Sequence, residues 1–395
     1  MHIHDVPAGN FAAHRLKARD LIHGTSLACA TYRRIDPIDA DREDRVVKLH
    51  IGINPPGTDR DSLGFARDAE QLGADSVWVP EAWMYDALTP LGYIAAITEQ
   101  IRLAAGVVQL GARSPAMLAM SALALQNMSD GRFILGLGTS GPQVMEGWHG
   151  VSFTRPLART SETIDIVRAI AAGERLTYRG EIYNLPLPDS QGRALRSPVA
   201  GADIPIYLAS MGPANLHLTG AKSNGWIGTA FLPESADVFI DPIREGAEAH
   251  GRTLDDVELT VAVGLDFTND IETAGRRHAA GYAFTIAAMG SSSTNFYNQA
   301  FTRQGFGDAI EQVQHLWLGG DRDAAGRAVP IEIGLHTNLI GDDTSITERL
   351  RRYRDVGINT LRVNISAENH HDRLDHLGRL LDLVDAVNGE QSESA

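Results

Sequence analysis

Arg132 to Gly150 reads RFILGLGTSGPQVMEGWHG. Phe133 to Leu137 is a short apolar run suited to a strand buried on both faces, and it ends abruptly in glycines and small hydroxyl residues. A ligand can approach the backbone at such an ending. Gly136, Gly138 and Gly141 spell G-x-G-x-x-G, and Pro142 suits the first residue of a helix, so the segment matches the spacing of a dinucleotide fingerprint. Alone this is a weak signal. Its meaning depends on how many strand-to-helix units surround it.

Upstream, Val46 to Asn54 reads as a strand and Asp61 to Leu72 as the helix that follows, closed by Gly73. Ala74 to Pro80 and Asp86 to Gln100 form a second unit, and Ile101 to Gln109 with Ser114 to Met128 a third. Arg132 to Gly138 is the fourth strand and Thr160 to Ala172 its helix. Gly173 to Asp203 breaks the rhythm with a hairpin over Leu176 to Leu185 and a turn-rich loop, so it reads as an insertion. The rhythm resumes with Ile204 to Ala209 and Pro213 to Lys222, Gly225 to Gly228 and Glu234 to His250, then Val257 to Phe267 and Ile271 to Ala288. A second insertion spans Gly290 to Pro330, with a helix at Ala309 to Leu318. Ile346 to Val356, Asn359 to Ile365 and Arg373 to Val387 complete the series as helix, strand, helix.

This count is near eight units, which predicts an α/β fold: a single closed (β/α)8 barrel of the triosephosphate isomerase type over residues 46–390, with insertions after strands 4 and 7. The glycines then follow the fourth strand, whereas a doubly wound domain needs its fingerprint after the first. Glu162 lies about the right distance onward for the acidic partner, but inside a helix. Met1 to Arg45 is polar, mixed in charge and without a steady period, and reads as an N-terminal arm outside the barrel.

The chain has 395 residues, 43% of them hydrophobic and 22% charged, the profile of a soluble globular protein. Its formal charge of −15 argues against a nucleic-acid or anionic-membrane surface, while a local basic pocket for one anionic ligand stays allowed. Lys17, Lys48 and Lys222 are the lysines, which leaves few candidates for a Schiff base or a phosphate-loop lysine. Cys29 is the single cysteine, so a disulfide framework and a thiolate metal cluster are excluded and a cytoplasmic location is expected. The sequence offers no membrane span and no signal core. His2 and His4, and His370, His371 and His376, match no ligand spacing, so no metal site is expected.

In such a barrel the site forms where the strands end. The candidates are Asn54 after the first strand, Glu81 and Trp83 after the second, Gly106, Val107 and Gln109 in the third, and Gly138, Thr139, Ser140 and Gly141 after the fourth. Ser210, Met211, Gly212 and Pro213 follow the fifth. There a helix opens directly from a strand, so its unpaired N–H groups can hold a phosphate without lysine; the alternative is an ordinary cap with Ser210 as N-cap. Glu81, between Trp78 and Trp83, suits a general acid or a hydrogen-bond acceptor for a cofactor. His149 beside Trp148 is a second catalytic candidate, and Tyr282 reaches the mouth if its helix leans inward.

The segments IRLAAGVVQLGARSPAMLAM (Ile101 to Met120), GRFILGLGTSGPQVMEGWHGVSFTRPLARTSE (Gly131 to Glu162), IPIYLASMGPANL (Ile204 to Leu216) and AAMGSSSTNFYN (Ala287 to Asn298) resemble the bacterial luciferase-like superfamily of flavin and deazaflavin oxidoreductases. The likeness is to the branch that uses coenzyme F420, including the methylene-tetrahydromethanopterin reductase relatives. It implies the same barrel. It also implies a non-prolyl cis peptide in the third strand at Gly106–Val107, cofactor contacts at Glu81, Gln109 and Gly138 to Gly141, and a phosphate-holding turn at Ser210 to Pro213. Asn54, Trp83 and Tyr282, taken from their positions at the strand ends, are the expected substrate contacts. Sugar-phosphate dehydrogenases of the superfamily place a histidine just after the acidic residue, where this chain has Ala82, so their proton relay does not transfer.

The resemblance thus implies hydride transfer from or to a small-molecule substrate, with Glu81 first and His149 second as proton donor, in a homodimer. The alternatives are an FMN-dependent monooxygenase served by a separate flavin reductase, and a non-catalytic flavin-binding protein.

Overall fold

The computed structural model describes residues 47–199, 201–289 and 295–390. The expected N-terminal arm lies outside the described residues. Eight parallel strands follow one another in chain order: β1 (His50–Ile53), β2 (Ser76–Val79), β3 (Arg102–Ala105), β4 (Phe133–Gly138), β5 (Ile206–Ala209), β6 (Gly225–Gly228), β7 (Glu258–Phe267) and β8 (Thr360–Ile365). Each pairs with the next, β6 pairs with β7, and β8 returns to β1 through His50 opposite Thr360, so the sheet closes. The barrel inferred from the count of strand and helix units is the barrel observed.

Alternation along the strands divides the side chains into two cores. Val77, Leu103, Leu135, Leu208 and Val261 face outward and pack under the helices. Trp78, Ala104, Ile134, Tyr207 and Ile227 face inward and fill the barrel. Below them Arg102 on β3 pairs with Glu258 on β7 at 2.8 Å, and the Tyr207 hydroxyl and the Thr360 hydroxyl both donate to the same carboxylate.

The main outer helices are α1 (Arg60–Leu72), α2 (Leu88–Ile97), α3 (Pro115–Met128), α4 (Pro156–Ala171), α5 (Pro213–Lys222), α6 (Asp237–Glu248), α7 (Ile271–Ala288), α8 (Asp343–Asp355) and α9 (His370–Gly389). Their ends follow local chemistry. Asp59 caps α1 by accepting from the N–H groups of Asp61 and Ser62, and Gly73 ends it at φ 101°, which a glycine adopts without strain. Ser114 caps α3 just before Pro115.

The first insertion carries the expected hairpin, with Tyr178–Arg179 paired against Asn184–Leu185. Glu162 holds it, because its carboxylate accepts from the N–H groups of Glu181, Ile182 and Tyr183 at 2.6, 3.1 and 2.8 Å. The acidic residue at fingerprint distance is therefore an anchor for a loop. The second insertion is richer in structure than its sequence suggested. Helices Phe296–Phe301, Gly307–Leu318, Arg322–Ala328 and Ile331–His336 pack with α7 around Phe301, Ile310, Val313 and Ile333. The short strand Leu339–Gly341 then adds to the outer edge of β7, opposite Leu265 to Phe267.

Candidate active site

The expected third strand, Ile101 to Gln109, is interrupted where it reaches the mouth. β3 stops at Ala105, the Gly106–Val107 peptide is cis, and the chain resumes as Val108–Gln109 against Leu137 and Gly138 of β4. The backbone here is tightly nested. A Cβ on Gly106 would lie 3.1 Å from the Trp78 ring, one on Gly136 1.9 Å from the Ala105 carbonyl oxygen, and one on Gly138 2.7 Å from Val107. Only glycine fits at Gly136, where the obstacle is main chain, and the result is a ledge of backbone with almost no side chain on it. Trp78 forms its underside.

Glu81 follows β2 and is the hub of one side of the rim. Its Oε1 accepts from Arg113 Nη1 at 2.8 Å and the Gln109 N–H at 3.1 Å, and its Oε2 from Arg113 Nη2 at 2.7 Å and the Ala87 N–H at 3.2 Å. The fork-to-fork geometry is the strong form of this pair, and the hydrogen bonds to Glu81 hold the Arg113 guanidinium above its usual range. Each carboxylate oxygen already has two donors, so a proton on Glu81 would displace one of them. The role of first proton donor expected for Glu81 is corrected: it organises the rim.

Gln109 extends that organisation. Its Nε2 faces the carbonyl oxygens of Ala82 and Glu81 at 2.8 and 3.5 Å, which fixes the amide with Oε1 toward His149 Nε2 at 2.9 Å. His149 therefore carries its ring proton on Nε2 when neutral, leaving Nδ1 for exchange. Gln109 is buried and its amide is engaged on both sides, so it serves the site by holding His149.

On the neighbouring strand of the same rim, β5 runs into α5. Gly212, not Ser210, is the N-cap, and no side chain caps the helix. The Ser210 hydroxyl is turned inward onto Thr219 Oγ1 at 2.7 Å and its carbonyl accepts from the Trp226 indole. What the turn offers a ligand is the backbone N–H groups of Gly212 and Ala214, on either side of Pro213, which has none, at the positive end of the helix. Arg303, which the sequence did not single out, comes from the second insertion to donate to the Met211 carbonyl at 2.5 Å. Its Nε is buried with no acceptor among the described residues.

The remaining candidates separate. Thr139, Ser140 and Gly141 continue from β4 at the ledge, with Ser140 at φ 57° and Gly141 capping the short helix Pro142–Gly147. Asn54 is at the mouth: its Nδ2 donates to Asn364 Oδ1 at 2.8 Å and its own Oδ1 is buried without a partner. Trp83 stands on the rim, 48% exposed. Tyr282 is corrected. Its hydroxyl donates to Thr337 and its ring meets Phe301 edge-on, so it belongs to the core of the second insertion. Inside the mouth, the sequence reading passed over Arg362, whose buried guanidinium lies 5.2 Å from the Trp78 ring. An arginine in an inward register of T-L-R-V-N-I was the available signal.

The fold is a (β/α)8 barrel whose candidate site lies at the carboxyl ends of its strands. The chain belongs to the luciferase-like monooxygenase family, whose model matches residues 50–360. It is 36% identical over 332 residues to a Mycobacterium tuberculosis protein provisionally named a coenzyme F420-dependent oxidoreductase, covering 81% of this chain and 94% of that one. It is 34% identical over 228 residues to the 5,10-methylenetetrahydromethanopterin reductase of Methanolobus tindarius, covering 58% of this chain and 67% of that one. The structure of the coenzyme F420 dependent tetrahydromethanopterin reductase from Methanopyrus kandleri superposes with a TM-score of 0.69 at 22% identity, over 85% of this chain and 98% of that one. The coarse class is therefore a luciferase-like oxidoreductase. Among the described residues no helix is long and apolar enough to cross a membrane.

Proposed function

We propose that this protein is a coenzyme F420-dependent oxidoreductase that transfers a hydride between the deazaflavin C5 and a small organic substrate. The observation that carries the reading is the bare ledge of Gly106, Val107 and Gly138 beside the uncapped start of α5 and Arg303. A planar ring needs a flat support, and a phosphate-bearing tail needs N–H groups and a cation. The chain supplies both on adjacent strands. The name of the Mycobacterium relative supports the choice of deazaflavin.

A bound deazaflavin supplies the hydride chemistry at C5, while the protein orients and shields it. Gly106, Val107 and Gly138 back the ring, and the turn at Met211 to Pro213 with Arg303 holds the phosphate. Glu81 and Arg113 fix Gln109, and Gln109 fixes His149, whose Nδ1 takes or gives the proton that accompanies the hydride. The test is native mass spectrometry of the protein incubated with deazaflavin and FMN in competition. Retained deazaflavin is expected. Retained FMN with oxygen-dependent turnover would overturn the reading in favour of a two-component monooxygenase.

A further inference from the structure

Two arginines point into the barrel, and their surroundings differ. Arg102, at the floor, has Glu258 as its counter-charge at 2.8 Å. Arg362, on β8, has none among the described residues. Its Nη2 donates to the carbonyl oxygen of Gly228, the last residue of β6, at 2.5 Å, and its Nε is buried without an acceptor. The residue is 6% exposed. Three carboxylates of the strands and rim are spent elsewhere: Glu258 on Arg102, Glu81 on Arg113, and Asp266 on Arg277 and His278.

The placement directs this charge to the mouth. Gly52 and Ala262 flank Arg362 on the adjoining strands, small residues that leave the long side chain room to rise toward the carboxyl end of β6. The guanidinium rests over Trp78, the ring that underlies the ledge. Burial pulls the Arg362 guanidinium down to about 10, so it remains charged at neutral pH. A buried, uncompensated cation is costly unless a ligand brings the opposite charge. With one face on an indole, one donor fixed on Gly228 and Nε left without an acceptor, the guanidinium keeps donor capacity that a carboxylate can satisfy.

We propose that Arg362 forms the anion-recognition point of the barrel mouth, and that the substrate is a small organic molecule bearing a carboxylate. This deepens the reading above, since it rests on the mouth being the reaction site and names the class of molecule that enters it.

The experiment titrates the full-length protein with sodium benzoate and with its neutral isostere benzamide, following tryptophan fluorescence and thermal shift. Benzoate is expected to bind at least tenfold more tightly than benzamide. R362M should lose that preference, and R362K should keep part of it. Equal binding of the two probes by the wild type, or undiminished benzoate binding by R362M, overturns the proposal. Should R362M not fold, R362K decides: an unchanged preference for benzoate in R362K overturns it too. A parallel deazaflavin titration of R362M separates the two possible anions. Unchanged deazaflavin affinity supports the substrate assignment, and a loss as large as that for benzoate assigns the guanidinium to the cofactor ring and overturns it. Wild-type protein that binds benzoate but no deazaflavin sinks the proposed cofactor and leaves this inference standing.

Discussion

Glu81 and His149 belong to one hydrogen-bonded chain, yet the structure gives them different work, and substitution should separate the two roles. Glu81 and Arg113 have side chains 6% and 19% exposed, so E81Q removes one partner of a well-sheltered ion pair and should destabilise the protein by on the order of 3 kcal/mol. Urea denaturation at neutral pH measures this. H149Q keeps that pair intact and should leave the urea midpoint nearly unchanged, while kcat for hydride transfer falls by roughly a hundredfold or more with little change in deazaflavin affinity. A small loss of kcat in H149Q would remove His149 from proton transfer. The sequence pointed to Glu81 because a carboxylate at a strand end is conspicuous. It could not show that Arg113, far along the chain, comes back to saturate it, because that meeting is made by the unusual turn between β3 and α3.

Helices α5 and α6 touch at a pair of reciprocal glycines. A Cβ on Gly220 would lie 1.8 Å from the Ile243 carbonyl oxygen, and one on Gly246 2.0 Å from that of His217. Both obstacles are main chain and cannot rotate away. G246A should therefore force the helices apart at a cost of about 1–3 kcal/mol, and since α5 begins at Gly212, deazaflavin affinity should fall as well. Gly64 in α1 is the contrast, with nothing within 4 Å of its notional Cβ. G64A should stabilise by about 0.5–1 kcal/mol through helix propensity. Thermal denaturation of the two variants checks the pair, and equal shifts would contradict the packing argument.

Elements such as α5 were legible to the residue from Pro213 and the following apolar spacing. The helix Gly307–Leu318 was legible as Ala309 to Leu318, but Phe296–Phe301, Arg322–Ala328 and Ile331–His336 were not, because their apolar residues are satisfied by α7 and by each other, giving no long period. The strand Leu339–Gly341 was equally hidden: three residues on an outer edge make no pattern.

The closed barrel was legible because eight strand and helix units in sequence have few other ways to bury their apolar faces. Its polarity along the axis was not, since inward-facing charges interrupt the strands without revealing which will pair. The floor is sealed by Arg102 and Glu258, whereas Arg362 above it has no counter-charge among the described residues.

The floor pair gives the whole molecule a characteristic acid response. Burial disfavours charge on Glu258, but Arg102, aided by hydrogen bonds from Arg102, Thr360 and Tyr207, outweighs it and lowers the carboxyl from 4.5 to about 2. A carboxyl depressed in the folded state stabilises the protein fully above the unfolded value of 4.5, and that contribution drains away as the pH falls toward about 2. The amount at stake is roughly 3 kcal/mol. Urea midpoints of the wild type should therefore drop between about pH 5 and pH 3 more steeply than those of E258Q. E258Q should also be less stable near neutrality, because Arg102 is left buried without its counter-charge. Parallel pH slopes for the two proteins would mean that the acid response originates outside the barrel.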